Sequence, residues 1–477
     1  MTAFFLVLTG FSVPARAEIS AEIDRLVSSY HELELFNGAA LVASNGKVIF
    51  KSGFGLANME WDIPNNTNTK FRLGSITKQF TSMLVMQLVA EGALSLDTTV
   101  ADVLPYYRED TGSQITMHHL LSHTSGLPGY TRPPGVESDP ARNPDETEEY
   151  VKTYCSGDLD FEPGSMYRYS NTGYRLLGAI LEQVTGKSYE KLLEERIFRP
   201  LGMTNSGYEY GETIIERRAA GYYKWWNGGY RNAPYVDMSI PYAAGALYST
   251  VDDLVLWDRA LTENTVLPEQ WTTKMFEPVL NDYAYGWSVK TQPIGVDNKE
   301  RTVISHNGGI NGFHTTIARI REDGYLIVLL NNTGSAPMSR MRTGIFDILY
   351  GREPSKPRPP VYDELITALD SGGPSAAIER YRELKESHSG SYDFGFSQLN
   401  NLCYHLMEGG QPEAAIEVCQ LNVEAFPQSP YPYDSLGEAY MTAGNTELAI
   451  VNYARSLQLD PENTNAVRQL MTLTGVE

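Results

Sequence analysis

The sequence contains only three cysteines, Cys155, Cys403 and Cys419, among its 477 residues. A set this small and odd in number cannot form a disulfide framework, and no spacing of His, Cys and acidic residues matches a zinc site. We therefore expect neither a metal nor another cofactor. Cys403 and Cys419 fall in predicted helices, where a buried thiol is the default, although the two could pair if the chain is exported.

Positive charge is also scarce. The chain has 38 Lys and Arg against 59 Asp and Glu, a formal net charge of −21. This balance argues against a nucleic-acid partner, because a phosphate-binding surface needs clustered Lys and Arg. From Glu353 onward there are 7 Lys or Arg and 18 Asp or Glu, which is typical of a solvated acidic helical surface.

Long apolar runs are almost absent, and the one short run lies at the N-terminus. Residues Ala3–Val13 are apolar and are followed by Ala15-Arg16-Ala17, a pattern that resembles a secretory signal cleaved after Ala17. We therefore expect residues 1–17 to be a signal peptide and the protein to be secreted or periplasmic. No other stretch is long and apolar enough to cross a bilayer, so no membrane span is expected in the mature chain.

The pattern of residues 18–350 predicts a domain of the α+β class. The stretch Gly38–Phe54 is typical of a β-hairpin, and Ile76–Ala90 of a helix without a polar face, which belongs at the centre of a domain. Further helices are predicted at Leu176–Leu193 and Val251–Leu261, and strands at Tyr285–Val289, Arg301–Ser305, Gly312–Ile320 and Tyr325–Leu330. Strands at both ends with helices between them indicate an antiparallel sheet flanked by helices, with an all-helical lobe.

Residues 351–360 form a linker rich in proline and charge, and the pattern beyond it repeats. Two sets of residues recur 34 positions apart: Leu402, Leu406, Ala415 and Pro427, then Leu436, Tyr440, Ala449 and Pro461. This period is typical of tetratricopeptide helix pairs, and a degenerate pair around Leu365–Leu384 would complete a stack of three. We therefore expect residues 361–477 to be an all-α repeat tail, which binds a protein partner or self-associates.

A serine and a lysine lie three residues apart in Gly74-Ser75-Ile76-Thr77-Lys78. Positions i and i+3 share one face of a helix, so Ser75 Oγ and Lys78 Nζ can meet. A serine hydroxyl is a poor nucleophile until a neighbour takes its proton. A lysine can take it only where burial or nearby cations depress its pKa, and this apolar helix offers burial.

Two more motifs follow along the chain. Tyr169 and Asn171, two residues apart in an extended segment, project to the same side. Tyr169 could relay a proton to a leaving group, and Asn171 could bind a substrate amide or Lys78. Taken alone, a tyrosine before a helix is more often a packing residue.

The third motif, His306-Asn307-Gly308-Gly309, follows a predicted strand. Its glycines would let a substrate backbone lie alongside, and the N–H groups of Gly309 and Ser75 would form an oxyanion hole. The alternative is a turn at the end of a strand with an exposed histidine.

The three motifs, in this order, resemble the serine β-lactamase and penicillin-binding-protein superfamily. The similarity is to the class C β-lactamase-related branch, which includes DD-peptidases, D-aminopeptidases and esterases. It extends over residues 20–350 and includes the stretches FRLGSITKQFT, YRYSNTGYRLLGAILEQVTGKSY and SHNGGINGFHT. The resemblance implies a β-lactamase/transpeptidase-like fold and a serine nucleophile.

The resemblance also implies roles for individual residues. Ser75 would be the acylated nucleophile, Lys78 its proton acceptor and Tyr169 the general acid/base, while Asn171 would orient the substrate and Lys78. His306 stands where lactamases of this branch carry lysine. Because a histidine is only partly charged at neutral pH, this departure favours esterase or peptidase activity over β-lactam hydrolysis.

The sequence therefore leaves two alternative functions open. The first is hydrolysis of an ester or amide in a small molecule or short peptide through a Ser75 acyl-enzyme. The second is a penicillin-binding-like sensor of peptides or cell wall that binds or acylates without turnover, while its repeats recruit a partner. We interpret His118, His119 and His123 as structural. The Trp225-Trp226 pair and the tyrosines near Tyr222 and Tyr242 could wall an acyl pocket or simply pack.

Overall fold

The computed structural model describes residues 16–129, 147–224, 229–334, 336–460 and 463–475. The chain divides into two compact units, one of residues 1–223 with 232–356 and one of residues 224–231 with 357–477. The predicted signal peptide lies outside the described residues except for Arg16 and Ala17, which begin the first helix. The Trp225-Trp226 pair lies outside them as well.

The elements up to residue 356 alternate between strands and helices. The strands are β1 (Gly38–Ser44), β2 (Lys47–Phe54), β3 (Leu56–Asn58), β4 (Ile63–Pro64), β5 (Phe71–Arg72), β6 (Gly207–Tyr208), β7 (Tyr222–Lys224), β8 (Tyr230–Asn232), β9 (Leu247–Ser249), β10 (Ser288–Ile294), β11 (Lys299–Ile310), β12 (Phe313–Ile320) and β13 (Tyr325–Asn331). The helices are α1 (Arg16–Glu32), α2 (Thr77–Ala90), α3 (Val100–Val103), α4 (Glu109–Gly112), α5 (Met117–Leu121), α6 (Thr147–Tyr154), α7 (Asn171–Thr185), α8 (Tyr189–Leu193), α9 (Arg199–Leu201), α10 (Tyr242–Gly245), α11 (Val251–Glu263), α12 (Glu269–Met275) and α13 (Met338–Leu349). A 3₁₀ turn at Gly74–Ile76 precedes α2, and a π-helical turn at Glu194–Phe198 precedes α9.

A six-stranded antiparallel sheet in the order β10-β11-β12-β13-β1-β2 organises this unit. Successive side chains of a strand point to opposite faces, and in β1 both faces are covered. Ala40 and Val42 pack in a core with α1 and α13, whereas Leu41 packs in a second core with α2 and α11. The sheet therefore lies between two helical layers, and the α+β class predicted from the sequence is confirmed.

Several predicted elements have different bounds in the structure. The strand predicted at Arg301–Ser305 extends over Lys299–Ile310, so the His306–Gly309 motif lies within the strand rather than after it. The strand predicted at Tyr285–Val289 begins only at Ser288, because Gly286 adopts φ of 80° and the N–H of Ala284 donates back to Trp287 O at 2.7 Å. The helix predicted at Leu176–Leu193 is two helices. Gly186, with φ of 65°, ends α7, and the Ser188 side chain caps α8. Left-handed glycines end the regular pattern in these last two cases.

The C-terminal region is entirely helical in its described residues. Its helices are α14 (Tyr362–Ser387), α15 (Phe396–Glu408), α16 (Pro412–Ala425), α17 (Pro430–Thr442), α18 (Thr446–Leu459) and α19 (Thr464–Thr474). Non-helical backbone at Gly373, followed by Pro374, divides α14 into two helices. A disulfide joins Cys403 in α15 to Cys419 in α16, and both residues are fully buried. No helix in the described ranges combines the length and apolar character needed to span a bilayer.

Strand β11 lies very close to the segment that leads into α2. A Cβ atom placed on Gly308 would stand 1.9 Å from Leu73 O, an oxygen that also accepts a 2.8 Å hydrogen bond from Thr315 Oγ1. The neighbouring Gly309 has open space at the same position. Gly308 is therefore the residue that permits this backbone approach.

We expect Gly308→Ala to lower the free energy of unfolding of this unit by about 2 kcal/mol or more, because the added methyl overlaps a fixed carbonyl oxygen. Gly309→Ala is the matched control and should change it by less than about 1 kcal/mol. Urea unfolding followed by tryptophan fluorescence tests this, since Trp257 and Trp287 are buried here. Equal losses in the two variants would contradict the close approach.

The disulfide predicts a redox-dependent stability of the tail. It closes a loop with a sequence separation of 16, and cross-linking a loop of that size stabilises a fold by about 3 kcal/mol. We expect dithiothreitol, or the double change of Cys403 and Cys419 to Ala, to lower the temperature at which the tail's helical circular dichroism is lost. A melting curve insensitive to reductant would refute the prediction.

Candidate active site

Ser75 lies in the 3₁₀ turn that leads directly into α2. The preceding Gly74 has φ of 55°, and a Cβ atom at this glycine would stand 2.8 Å from Gly309 N. A residue with a side chain would therefore be strained at position 74 and would displace β11. The turn holds Ser75 at the N-terminal end of a buried helix and beside the His-Asn-Gly-Gly strand.

The amine of Lys78 is the point where three segments of the chain meet. Nζ lies 3.1 Å from Ser75 Oγ, 2.8 Å from Asn171 Oδ1 at the start of α7, and 2.9 Å from Ala244 O in α10. The Lys78 side chain is completely buried. Burial disfavours the ammonium form and holds the pKa of Lys78 well below its ordinary value.

The three contacts of Lys78 differ in what they can do. An amide oxygen and a backbone carbonyl only accept hydrogen bonds, whereas a serine hydroxyl can also donate. A neutral amine has two N–H donors and one lone pair, so its donors match Asn171 Oδ1 and Ala244 O. The remaining lone pair then faces Ser75 Oγ. This is the arrangement that removal of the serine proton requires.

The Tyr169 ring covers this amine. Its centroid lies 4.8 Å from Lys78 Nζ, and the side chain is 36% exposed, so it stands between the buried lysine and solvent. His123 packs against the Tyr169 ring, with the two ring centroids 4.2 Å apart. The Ser170 N–H donates a hydrogen bond to His123 Nδ1 at 3.0 Å. Ser170 also caps α7, which fixes Tyr169 and Asn171 on either side of the cap.

His306, in β11, directs both ring nitrogens into the protein. Nε2 lies 2.8 Å from the Tyr283 hydroxyl, and Nδ1 lies 2.6 Å from Asn307 O. The residue is 7% exposed, and burial together with the nearby Lys78 amine lowers its pKa to about 3. His306 is therefore uncharged at neutral pH.

The structure brings the predicted site residues together. Ser75 and Asn171 share the Lys78 amine, the Tyr169 ring covers it, and the rings of Tyr169 and His306 lie 6.1 Å apart. The remaining two predicted residues, Gly308 and Gly309, lie against the Leu73–Gly74 backbone.

Two contributors to the site, Ala244 and Tyr283, escape the sequence analysis, and His123, which it interprets as structural, packs against the Tyr169 ring. Ala244 acts through a backbone oxygen, which leaves no trace in the residue type. Tyr283 and His123 reach the site from distant loops. One signal for Tyr283 is Gly286, since a Cβ there would stand 3.0 Å from Lys78 O, which places the loop against the first turn of α2.

The other histidines and aromatics have contacts of their own. His118 Nδ1 lies 2.7 Å from the Tyr285 hydroxyl, and His119 Nδ1 accepts from the Thr116 N–H in a capping box. Tyr222 and Tyr242 are buried, and Tyr242 packs against Tyr189 and Tyr208. Within the described ranges, His, Cys, Asp and Glu form no group that could hold a metal.

Known proteins with similar sequences include hydrolases. Residues 23–350 match the family model described as Beta-lactamase. Esterase EstB of Burkholderia gladioli is 34% identical over an alignment of 403 residues, and the match covers 74% of this chain and 100% of the esterase. Penicillin-binding protein 4* of Bacillus subtilis is 30% identical over an alignment of 331 residues, and the match covers 65% of this chain and 71% of that protein.

Solved structures agree with this relationship. The D-amino acid amidase from Ochrobactrum anthropi SV3, complexed with L-phenylalanine, has a TM-score of 0.59 and 26% identity, and the match covers 70% of this chain and 96% of the amidase. The resemblance inferred from the motifs is thereby confirmed over the same part of the sequence. The chain belongs to the beta-lactamase family, within a superfamily of serine hydrolases that includes esterase, D-amino acid amidase and β-lactamase relatives.

Proposed function

We propose that this protein is a serine hydrolase that cleaves an ester or amide through an acyl-enzyme on Ser75. The observation that carries the proposal is the buried Lys78 amine, whose two donors are matched by Asn171 Oδ1 and Ala244 O and whose lone pair faces Ser75 Oγ at 3.1 Å. Membership of a family with esterase and amidase relatives supports it.

In acylation, Lys78 accepts the Ser75 proton while Oγ attacks the substrate carbonyl carbon. The charge that develops on the carbonyl oxygen is stabilised by the N–H groups of Ser75 and Gly309, which belong to segments that lie against each other at Gly74. The bond to the leaving alcohol or amine then breaks. Tyr169 passes a proton to the leaving group, so that the products are a neutral alcohol or amine and an ester on Ser75.

In deacylation, a water molecule attacks the Ser75 ester and gives its proton to the Tyr169 oxygen, which lost one to the leaving group, while Lys78 still holds the proton taken from Ser75. The bond from Ser75 Oγ to the acyl carbon breaks, the serine regains its proton, and a carboxylic acid leaves. The position of the Tyr169 ring between the buried amine and solvent suits this role, because water approaches from the exposed side. Asn171 keeps Lys78 oriented in both steps.

We also propose that the protein is exported after loss of a signal at residues 1–17, and that the tail is a tetratricopeptide-like stack that binds a protein or a second copy. Export is supported by the Cys403–Cys419 disulfide, because such bonds persist in oxidising compartments such as the periplasm. The helix pairs of the tail support the second proposal. A peptide or cell-wall sensor without turnover is the competing function.

We expect wild-type protein to react covalently with a fluorescent fluorophosphonate and to hydrolyse a short-chain p-nitrophenyl ester over many turnovers. Ser75→Ala should abolish both, because the attacking oxygen is removed. Ser82→Ala is the matched control, since Ser82 is fully buried in the same helix and contacts the Tyr174 hydroxyl. Equal labelling of wild type and Ser75→Ala would disprove the nucleophile. Labelling without steady turnover would favour the sensor.

The pH dependence of kcat/KM should report the Lys78 amine. Lys78 accepts a proton only when neutral, so activity falls as the pH drops through its depressed pKa and is retained at pH values well below the ordinary lysine range. His306, with a pKa of about 3, contributes no ionisation near neutrality. The midpoint of the acid limb should therefore be the same in His306→Gln, whatever its rate. A midpoint that moves in that variant would assign the limb to His306 instead.

A further inference from the structure

Tyr283 connects two residues of the candidate site. Its hydroxyl lies 2.8 Å from His306 Nε2, and its ring lies 6.0 Å from the Tyr169 ring and 4.7 Å from the His123 ring. The side chain is 4% exposed. The contact with His306 is thus a buried hydrogen bond within an aromatic cluster, and its geometry determines which form of the imidazole is present.

The two partners of His306 fix its tautomer. Asn307 O can only accept a hydrogen bond, so at 2.6 Å it requires a proton on Nδ1. In a neutral imidazole Nε2 is then the acceptor, and the Tyr283 hydroxyl donates to it. Both ring nitrogens are engaged within the protein, and neither is left for a substrate.

A second proton on the ring is opposed from several sides. His306 is buried, and the Lys78 amine and the His123 ring are the titratable groups that act on it through space. These effects disfavour an imidazolium. The Tyr169 and Tyr283 rings also face the imidazole.

Two further basic side chains close to Ser75 already have partners within the protein. Lys78 is fully buried and bonded to three oxygens, and Arg72, three residues before Ser75, forms a two-point ion pair with Glu209 at 3.0 and 2.6 Å. Relatives that carry lysine at position 306 would present an ammonium that suits a carboxylate on the substrate. At this position the present chain has an uncharged histidine ring, and both of its nitrogens are already hydrogen-bonded within the protein.

We infer that Tyr283 is a positioning residue that keeps Nε2 of the buried, uncharged His306 occupied, and that the enzyme therefore selects esters or amides whose leaving group bears no free carboxylate. This inference rests on the proposed function and specifies its substrate class. It excludes peptides with a free C-terminal carboxylate as preferred substrates. It favours instead amides, alkyl esters and capped peptides.

Two thioesters with the same acyl group test the selectivity directly. One has a thiol leaving group that ends in a carboxylate, and the other has the same thiol capped as the primary amide. Hydrolysis transfers the acyl group to Ser75 and releases the thiol, which a disulfide reagent detects. For the wild-type full chain we expect kcat/KM to be at least about tenfold higher for the amide-capped thioester. Equal rates, or preference for the carboxylate, would overturn the inference.

Tyr283→Phe keeps the aromatic packing and removes only the hydroxyl. His306 Nε2 then loses its hydrogen-bond donor, so the neutral ring can change tautomer and offer an N–H to a substrate carboxylate, and the selectivity ratio should fall severalfold at both pH 5.5 and pH 8. The matched control is Tyr285→Phe. Tyr285 lies two residues after Tyr283 in the sequence, and its hydroxyl contacts a different histidine, His118. The control should keep the wild-type ratio. An unchanged ratio in Tyr283→Phe would show that its hydroxyl does not set the selectivity.

A spectroscopic measurement separates this inference from the proposed function. Protein labelled with ¹⁵N-histidine gives NMR signals for each imidazole, and comparison with His306→Gln assigns those of His306. In wild type these signals should show the Nδ1–H tautomer from pH 5 to 8. They should change in Tyr283→Phe and stay the same in Tyr285→Phe. If neither thioester reacts in folded protein, the hydrolase proposal fails, and the tautomer still decides the role of Tyr283. A protonated or Nε2–H ring in wild type would refute that role.

Discussion

The burial of one amine is the constraint on which the rest of the site depends. Lys78 is completely buried on a helix that is itself almost entirely buried. An amine in such a place is costly unless its hydrogen bonds are satisfied. Asn171 Oδ1 and Ala244 O satisfy them, and they come from α7 and α10, elements 93 and 166 residues further along the chain. The fold therefore has to bring these helix ends to α2 before the lysine can serve as a base.

The same constraint explains how the neighbouring residues are arranged. Tyr169 and Asn171 flank the residue that caps α7, so the helix cap positions both of them relative to Lys78. His123 accepts the Ser170 N–H and packs on the Tyr169 ring. A site of this kind is preorganised by secondary-structure ends rather than by flexible side chains.

Local patterns were sufficient to predict much of the fold and the central residues. The i, i+3 spacing of Ser75 and Lys78 is a property of one helix turn, and the apolar runs of β1, β12 and β13 identify the sheet without long-range information. The predicted end of a helix was wrong where a left-handed glycine ended the helix early, as Gly186 does for α7. Tyr283 and Ala244 could not be predicted, because one acts through a loop packed against α2 and the other through a backbone oxygen.

The two edges of the main sheet have a consequence for behaviour at high concentration. β10 and β2 are the terminal strands of the order β10-β11-β12-β13-β1-β2. β10 carries the exposed residues Lys290 and Pro293, and β2 carries the exposed residues Lys47 and Lys51. A strand from another molecule could not form a full ladder of hydrogen bonds along β10, because Pro293 has no N–H to donate. At both edges it would also lie next to lysine ammonium groups. The sheet is thereby protected against edge-to-edge growth into aggregates, a property separate from anything its active site requires.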